Sequence, residues 1–227
     1  MSSSTHLILT IFFIVFFCFI LISSIVWYLY WRIKIDYKQG KKGFLYEGYI
    51  WEKLQKNIDS NTFEFLKGSS YLYDGKIFET DGFLISNVFI VVIEIKFYNG
   101  ILSGDANDIM LKLKKHPKSK YKLVTNPILQ CQKNLNHTFK LISQQIPYAS
   151  LIIIPQQSKI KITNIEDHVL FITEDQLLET LQQLRSYVNN QNPPVINKKA
   201  VKEMLMSMKI KTNKEKQKFK KIIKKGK

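Results

Sequence analysis

The chain has 227 residues, 45% of them hydrophobic, and a net charge of +16 from 34 Lys and Arg against 18 Asp and Glu. With two cysteines, Cys18 and Cys131, it has neither a disulfide framework nor enough thiols for a cysteine-built metal site. After its apolar beginning about 195 residues remain, enough for one domain with its own core.

From Leu7 to Trp31 no residue is charged. As a helix this stretch is roughly 37 Å long, against about 30 Å for a bilayer core. Trp27, Tyr28, Tyr30 and Trp31 gather at one end, where amphipathic rings favour the headgroup layer. Met1–His6 carries no Lys or Arg and the run is too long for a signal peptide, so an uncleaved transmembrane helix over residues 7–31 is expected. Arg32, Lys34, Lys38, Lys41 and Lys42 follow it in a basic linker, residues 32–42. The positive-inside rule then places the rest of this single-pass protein on the cytoplasmic side of the cell membrane.

Phe44, Ile50, Leu54 and Ile58 recur at helical spacing, predicting a helix over Gly43–Asn57. Two strand-like runs follow, Lys76–Ile85 and Val88–Phe97. Ser69-Ser70 reads as turn, and residues 100–122 as a short strand plus irregular loop. Asn126-Pro127 opens a helix over Ile128–Gln144, and Ser150–Ile154 and Val169–Ile172 read as strands. Thr173 is a plausible N-cap for a helix over Glu174–Val188, and Asn197–Met208 begins another. Lys209–Lys227 holds ten lysines and one acid. Such a run is either a solvated tail or a contact for anionic lipid or nucleic acid. The order predicts a mixed α/β domain over residues 43–208.

Charge inside an apolar hairpin is the chemically informative feature. Glu94 and Lys96 lie two apart in FIVVIEIKF, and Glu79 and Asp81 two apart in the preceding strand. A two-residue turn sets Glu79 opposite Glu94, whereas a four-residue loop sets Asp81 there, and both registers put all four charges on one face. Facing carboxylates repel, and a Mg²⁺ ion would relieve this. A structural Glu94–Lys96 pair with surface acids around it is the alternative. His116, His137 and His168 lack metal-ligand spacing, and Gly100-x-x-x-Gly104 lacks the lysine of a phosphate loop. Tyr71 and Tyr73 suit core packing better than base stacking.

Asp81, then Glu94-Ile95-Lys96 after twelve intervening residues, resembles the D-(x)n-ExK core of the PD-(D/E)xK nucleases. The chain is more closely similar to one branch, the nuclease-related domain (NERD) family. Gly43, Glu47, Ile50 and Leu54 fit its first-helix pattern, with Tyr46 in place of its second glycine. Glu79, Asp81, Ile93, Glu94, Lys96, Tyr98 and Gly100 fit its middle, and Asn126, Pro127 and Gln130 its next helix. The resemblance covers residues 43–154. It implies a restriction-endonuclease-like mixed sheet flanked by helices and a Mg²⁺- or Mn²⁺-dependent nuclease acting on DNA, or else on RNA. It further implies metal ligation by Asp81, Glu94 and the Ile95 backbone carbonyl, with Lys96 orienting water or stabilising the transition state. Glu47 would hold a metal-bound water or second ion, or only solvate the helix. Gln130 would orient water or contact the phosphate backbone, or only start a helix, and Glu79 would support the ligands from behind. A non-catalytic, membrane-tethered nucleic-acid-binding or interaction domain is the alternative.

Overall fold

The computed structural model describes residues 3–73, 76–142, 146–191, 196–212, 214, 215 and 217. In the first helix, side chains are described from residue 16 on, except 18, 32, 33 and 35–39. The breaker Asn192-Pro193-Pro194 and almost all of the lysine-rich tail beyond Glu215 lie outside the described residues, as do residues 143 and 144 of the expected second helix.

The chain divides into two compact units, Met1–Tyr46 and Glu47–Lys227. The first is a stretch of α1 (Ser3–Asn57), and the expected linker at residues 32–42 is itself helical. Phe16, Phe19, Ile22, Trp27 and Trp31 are all exposed on it. Among the described residues, no helix is long and apolar enough to cross a membrane. Of the expected span, the side chains of residues 7–15 and 18 lie outside that description.

The second unit is mixed α/β, with two mixed sheets flanked by helices where one sheet was expected. The strands are β1 (Glu64–Tyr73), β2 (Lys76–Ile85), β3 (Ile90–Ile95), β4 (Ile101–Asp105), β5 (Met110–Lys114), β6 (Lys122–Thr125), β7 (Tyr148–Ile154), β8 (Lys159–Thr163) and β9 (Val169–Thr173). A five-stranded sheet runs β1-β2-β3-β7-β9 and a four-stranded sheet β6-β5-β4-β8. Ser69-Ser70 therefore lies within β1 rather than in a turn. Residues 100–122 hold two full strands and the start of a third, where mostly loop was expected.

β3 is buried throughout and β7 from Ser150 on, as parallel central strands require, and these stretches read as Val, Ile and Leu runs apart from Glu94 and Ser150. On one face α2 (Pro127–Ile142) packs Ile128, Cys131 and Leu135 against Phe83, Ile85, Ile90 and Val92. α4 (Lys198–Ser207) adds Val201 and Leu205, and Asn197 caps it by accepting from the Ala200 amide at 3.1 Å. On the other face the last turns of α1 bring Trp51 against Phe65 at 5.2 Å. Gln176 Oε1 accepts from the Thr173 amide at 2.9 Å, and a single 3₁₀ turn separates Thr173 from α3 (Leu177–Asn189).

Candidate metal centre and its cleft

The β2–β3 connection fixes which charges meet. Ile85 pairs with Ile90 and Gly82 with Ile93, which is the register of the four-residue loop. Ser86 closes that loop, its Oγ accepting from the amides of Val88 (3.1 Å) and Phe89 (3.0 Å). One step beyond Gly82–Ile93 the ladder stops, and Asp81 Oδ2 accepts from the Ile95 amide at 2.7 Å. What Ile95 gives Asp81 is thus its N–H.

Asp81 also stands where strand alternation changes phase. Leu66 pairs with Phe83 and Tyr71 with Phe78, and the Tyr71 ring touches both Phe78 (5.3 Å) and Phe83 (5.7 Å). Residues five apart on a regular strand point to opposite faces, so β1 and β2 twist between these pairs. The one missing pair in their ladder is Gly68–Asp81. A Cβ on Gly68 would lie 2.3 Å from the Asp81 carbonyl oxygen, so only glycine allows this approach. The twist turns Asp81 out of the core side and into a cleft.

That cleft has a volume of about 440 Å³ and is walled by Glu47, Glu79, Asp81, Ser69, Ser70 and Lys211, among others. Glu47 on α1 accepts weakly from Trp51 Nε1 at 3.5 Å. Glu79 is exposed, its carboxylate accepting from Ser70 Oγ at 3.2 Å and its carbonyl from Asn134 Nδ2 at 2.8 Å. Glu94 does not line the cleft: it is fully buried and coupled to Asp81, with Oε1 2.5 Å from Lys96 Nζ and no hydrogen-bond donor on Oε2 among the described residues.

The electrostatics follow from this burial. Desolvation lifts the Glu94 carboxyl to about 7, helped by the Asp81 charge and opposed by Lys96. Burial lifts Asp81 to about 6 against the pull of the Ile95 amide and Lys96, with Glu47 and Glu79 adding repulsion. Burial works against the Lys96 ammonium, but Glu94 outweighs it and the net shift is upward. Cys131 on α2 lies over the same group; burial and then the Glu94 charge raise its thiol.

Asp81, Glu94, Lys96 and Glu47 are therefore electrostatic neighbours, and Glu79 borders Asp81 on the cleft wall. Gln130 sits half-buried on the first turn of α2, beside Cys131. Sequence reasoning missed Asn134, which ties α2 to β2, and Lys211, delivered to the wall from far along the chain. The segment bearing Lys211 lies along β1, with the Leu72 amide on the Met208 carbonyl (3.0 Å) and the Ile210 amide on the Ser70 carbonyl (2.9 Å). Tyr71 is core, as its spacing suggested.

A divalent cation fits the donor set in kind. Two hard carboxylates meet, and one has a buried oxygen without a donor, which is costly unless a cation faces it. Among the described residues no three or more His, Cys, Asp or Glu are grouped to hold a metal. Such a pair of carboxylates suits an ion that keeps most of its shell from other oxygens, as Mg²⁺ does.

Comparison with curated proteins and with solved structures finds no match. A family model, the nuclease-related domain, matches residues 42–155, half of the chain, and spans β1 to β7 with the whole Asp81–Glu94–Lys96 centre. The chain belongs to the nuclease-related domain (NERD) family.

Proposed function

We propose that this protein is a membrane-anchored, divalent-metal-dependent nuclease cleaving phosphodiesters of DNA, or of RNA, at the cytoplasmic face. The observation carrying this reading is Glu94: a fully buried carboxylate with one oxygen on Lys96 and the other without a donor among the described residues, coupled to Asp81, which lines an open cleft. Asp81 and Glu94 would hold Mg²⁺ or Mn²⁺, with the Ile95 carbonyl as a further oxygen. The ion supplies Lewis-acid polarisation of the scissile phosphate when bound. Lys96 holds its proton and places a positive charge where phosphate charge grows. Glu47 and Glu79 keep the rim acidic and orient water, and Gln130 orients water or the phosphate backbone.

Anchoring through residues 7–31 is supported by their uncharged length and by the large apolar side chains exposed on that helix from residue 16 on. The basic residues after Trp31 support the orientation. Full-length protein in detergent is expected to cleave single- or double-stranded substrates with Mg²⁺ or Mn²⁺ and to lose this with Asp81→Ala or Glu94→Ala. Salt-sensitive nucleic-acid binding with no metal-dependent cleavage of any substrate would leave a tethered binding domain instead. Release of the protein from membranes by high salt or carbonate would remove the anchor.

A further inference from the structure

The four-stranded sheet has a face with no role in the centre just described. Between Ile109 and Ile165 the chain has ten lysines and no Asp or Glu. The strand registers sort four of those lysines onto one surface. Ile101 on β4 pairs with Lys114 on β5 and Lys159 on β8, and Ser103 pairs with Lys112 and Lys161. Cross-strand partners share a face, so the order across the sheet is Lys114-Ile101-Lys159 in one row and Lys112-Ser103-Lys161 in the next. The alternate residues Leu102, Leu111 and Val124 face inward and form a small core of their own. Lys112, Lys159 and Lys161 are exposed and Lys114 is half-buried. The Lys112 ammonium lies 5.5 Å from the exposed Tyr121 ring.

The lysines thus form a two-by-two array, about 7 Å apart along a strand and about 10 Å apart across the intervening β4. Two acids lie at the end of β4: Asp105, engaged by Asn107, Thr163 and Asn164, and Asp108, whose Oδ2 accepts from the Asp105 amide at 3.2 Å. We propose that this face binds the phosphate backbone of the nucleic acid presented to the Asp81–Glu94 centre, an inference that rests on the nuclease reading. Two observations favour a nucleic acid over a lipid surface. First, the array is close to the centre: Lys96 and Ile101 are five residues apart, at most about 18 Å of chain. The linking residues are also fixed to the sheet. The Tyr98 hydroxyl donates to the Thr125 carbonyl (2.9 Å), and Ser158 Oγ, next to Lys159, donates to the Tyr98 carbonyl (2.7 Å). Gly100 completes the link at φ +140°, where a Cβ would meet the Lys114 carbonyl oxygen at 2.2 Å. Second, Tyr121 places an aromatic ring among the charges, the pairing that single strands use for stacking.

The test is equilibrium binding of a labelled single-stranded oligonucleotide to the full chain in neutral-lipid nanodiscs. EDTA is present, so an inactive centre does not affect the result. The fourfold variant Lys112→Gln, Lys114→Gln, Lys159→Gln, Lys161→Gln is expected to bind at least about tenfold more weakly. Its slope of log affinity against log salt should be shallower by about 3. The corresponding fourfold arginine variant, which keeps the charges, should bind like the wild type. An unchanged slope and affinity in the glutamine variant would overturn the proposal. So would a variant that still binds oligonucleotide but no longer co-floats with phosphatidylserine vesicles. A shallower slope in a protein that never cleaves with Mg²⁺ would sustain the lysine face while removing the nuclease reading.

Discussion

The two sheets treat charge in opposite ways. In the five-stranded sheet Glu94 is driven into an apolar strand, and among the described residues Lys96 is its one ion-pair partner. In the four-stranded sheet Lys112, Lys114, Lys159 and Lys161 lie on the surface over a small core. Buried charge is expensive and therefore sparse, and every partner matters. Surface charge is cheap, so it can be plural and individually dispensable. Substitutions in the first sheet should therefore disturb stability and chemistry together, and substitutions in the second should touch binding alone.

The largest effect expected is on cleavage. Glu94→Gln should lower Mg²⁺-dependent turnover by more than about 100-fold, since even residues behind metal ligands are worth 10- to 100-fold. Turnover within tenfold of wild type would place the centre elsewhere. Next comes Lys96→Met, which leaves the Glu94 carboxylate buried without its cation. Denaturant unfolding at pH 8 without metal should show a loss of about 3–5 kcal/mol.

The pH dependence follows in size. The folded-state values of Asp81 (about 6) and Glu94 (about 7) lie above their ordinary values of 3.8 and 4.5. Between those limits the native state holds more protons than the unfolded chain, so stability should fall as pH rises from about 4 to about 7. Glu94→Gln should flatten that decline and raise the thermal midpoint of metal-free protein at pH 8. Added Mg²⁺ should raise the wild-type midpoint and leave that of the variant unmoved. Gly68→Ala should destabilise by about 1–3 kcal/mol, because its Cβ meets Asp81 backbone rather than a movable side chain. Smallest of all, Lys161→Gln should change unfolding free energy by no more than about 0.5 kcal/mol. A larger loss would mean that the lysine face is structural and would erase the contrast between the sheets.

How much the sequence revealed varies along the same division. β2 was read with its true bounds, because its aromatic and β-branched residues fall between clear turns. The whole of β1 is missed: Ser69 and Ser70, with low strand preference, pair because β2 supplies the partner, while Gly68 leaves the ladder open and a bare backbone opposite Asp81. The strands β5 (MLKLK) and β8 (KIKIT) carried a legible signal, strict alternation of lysine with apolar residues, that their basic composition obscured. In the centre, Asp81, Glu94 and Lys96 were legible because local hairpin geometry places them. The exchange of a facing pair for a hydrogen bond from the Ile95 amide to the Asp81 carboxylate was not, since it follows from the twist. Asn134 and Lys211 reach the site through long excursions of chain that leave no local trace.

The strip of chain from Met208 to Thr212 also governs when the cleft comes into being. It lies along β1, about 140 residues further on in the order of synthesis, and supplies one wall beside Glu47 and Asp81. A nascent chain that has already emerged through β7 holds every acid of the centre, yet its cleft still lacks a side. The outer edge of β1 is then bare and open to pairing with other chains. Completion of the site is thus a late event in the life of each molecule, set by the arrival of a short basic segment and not by the acids themselves.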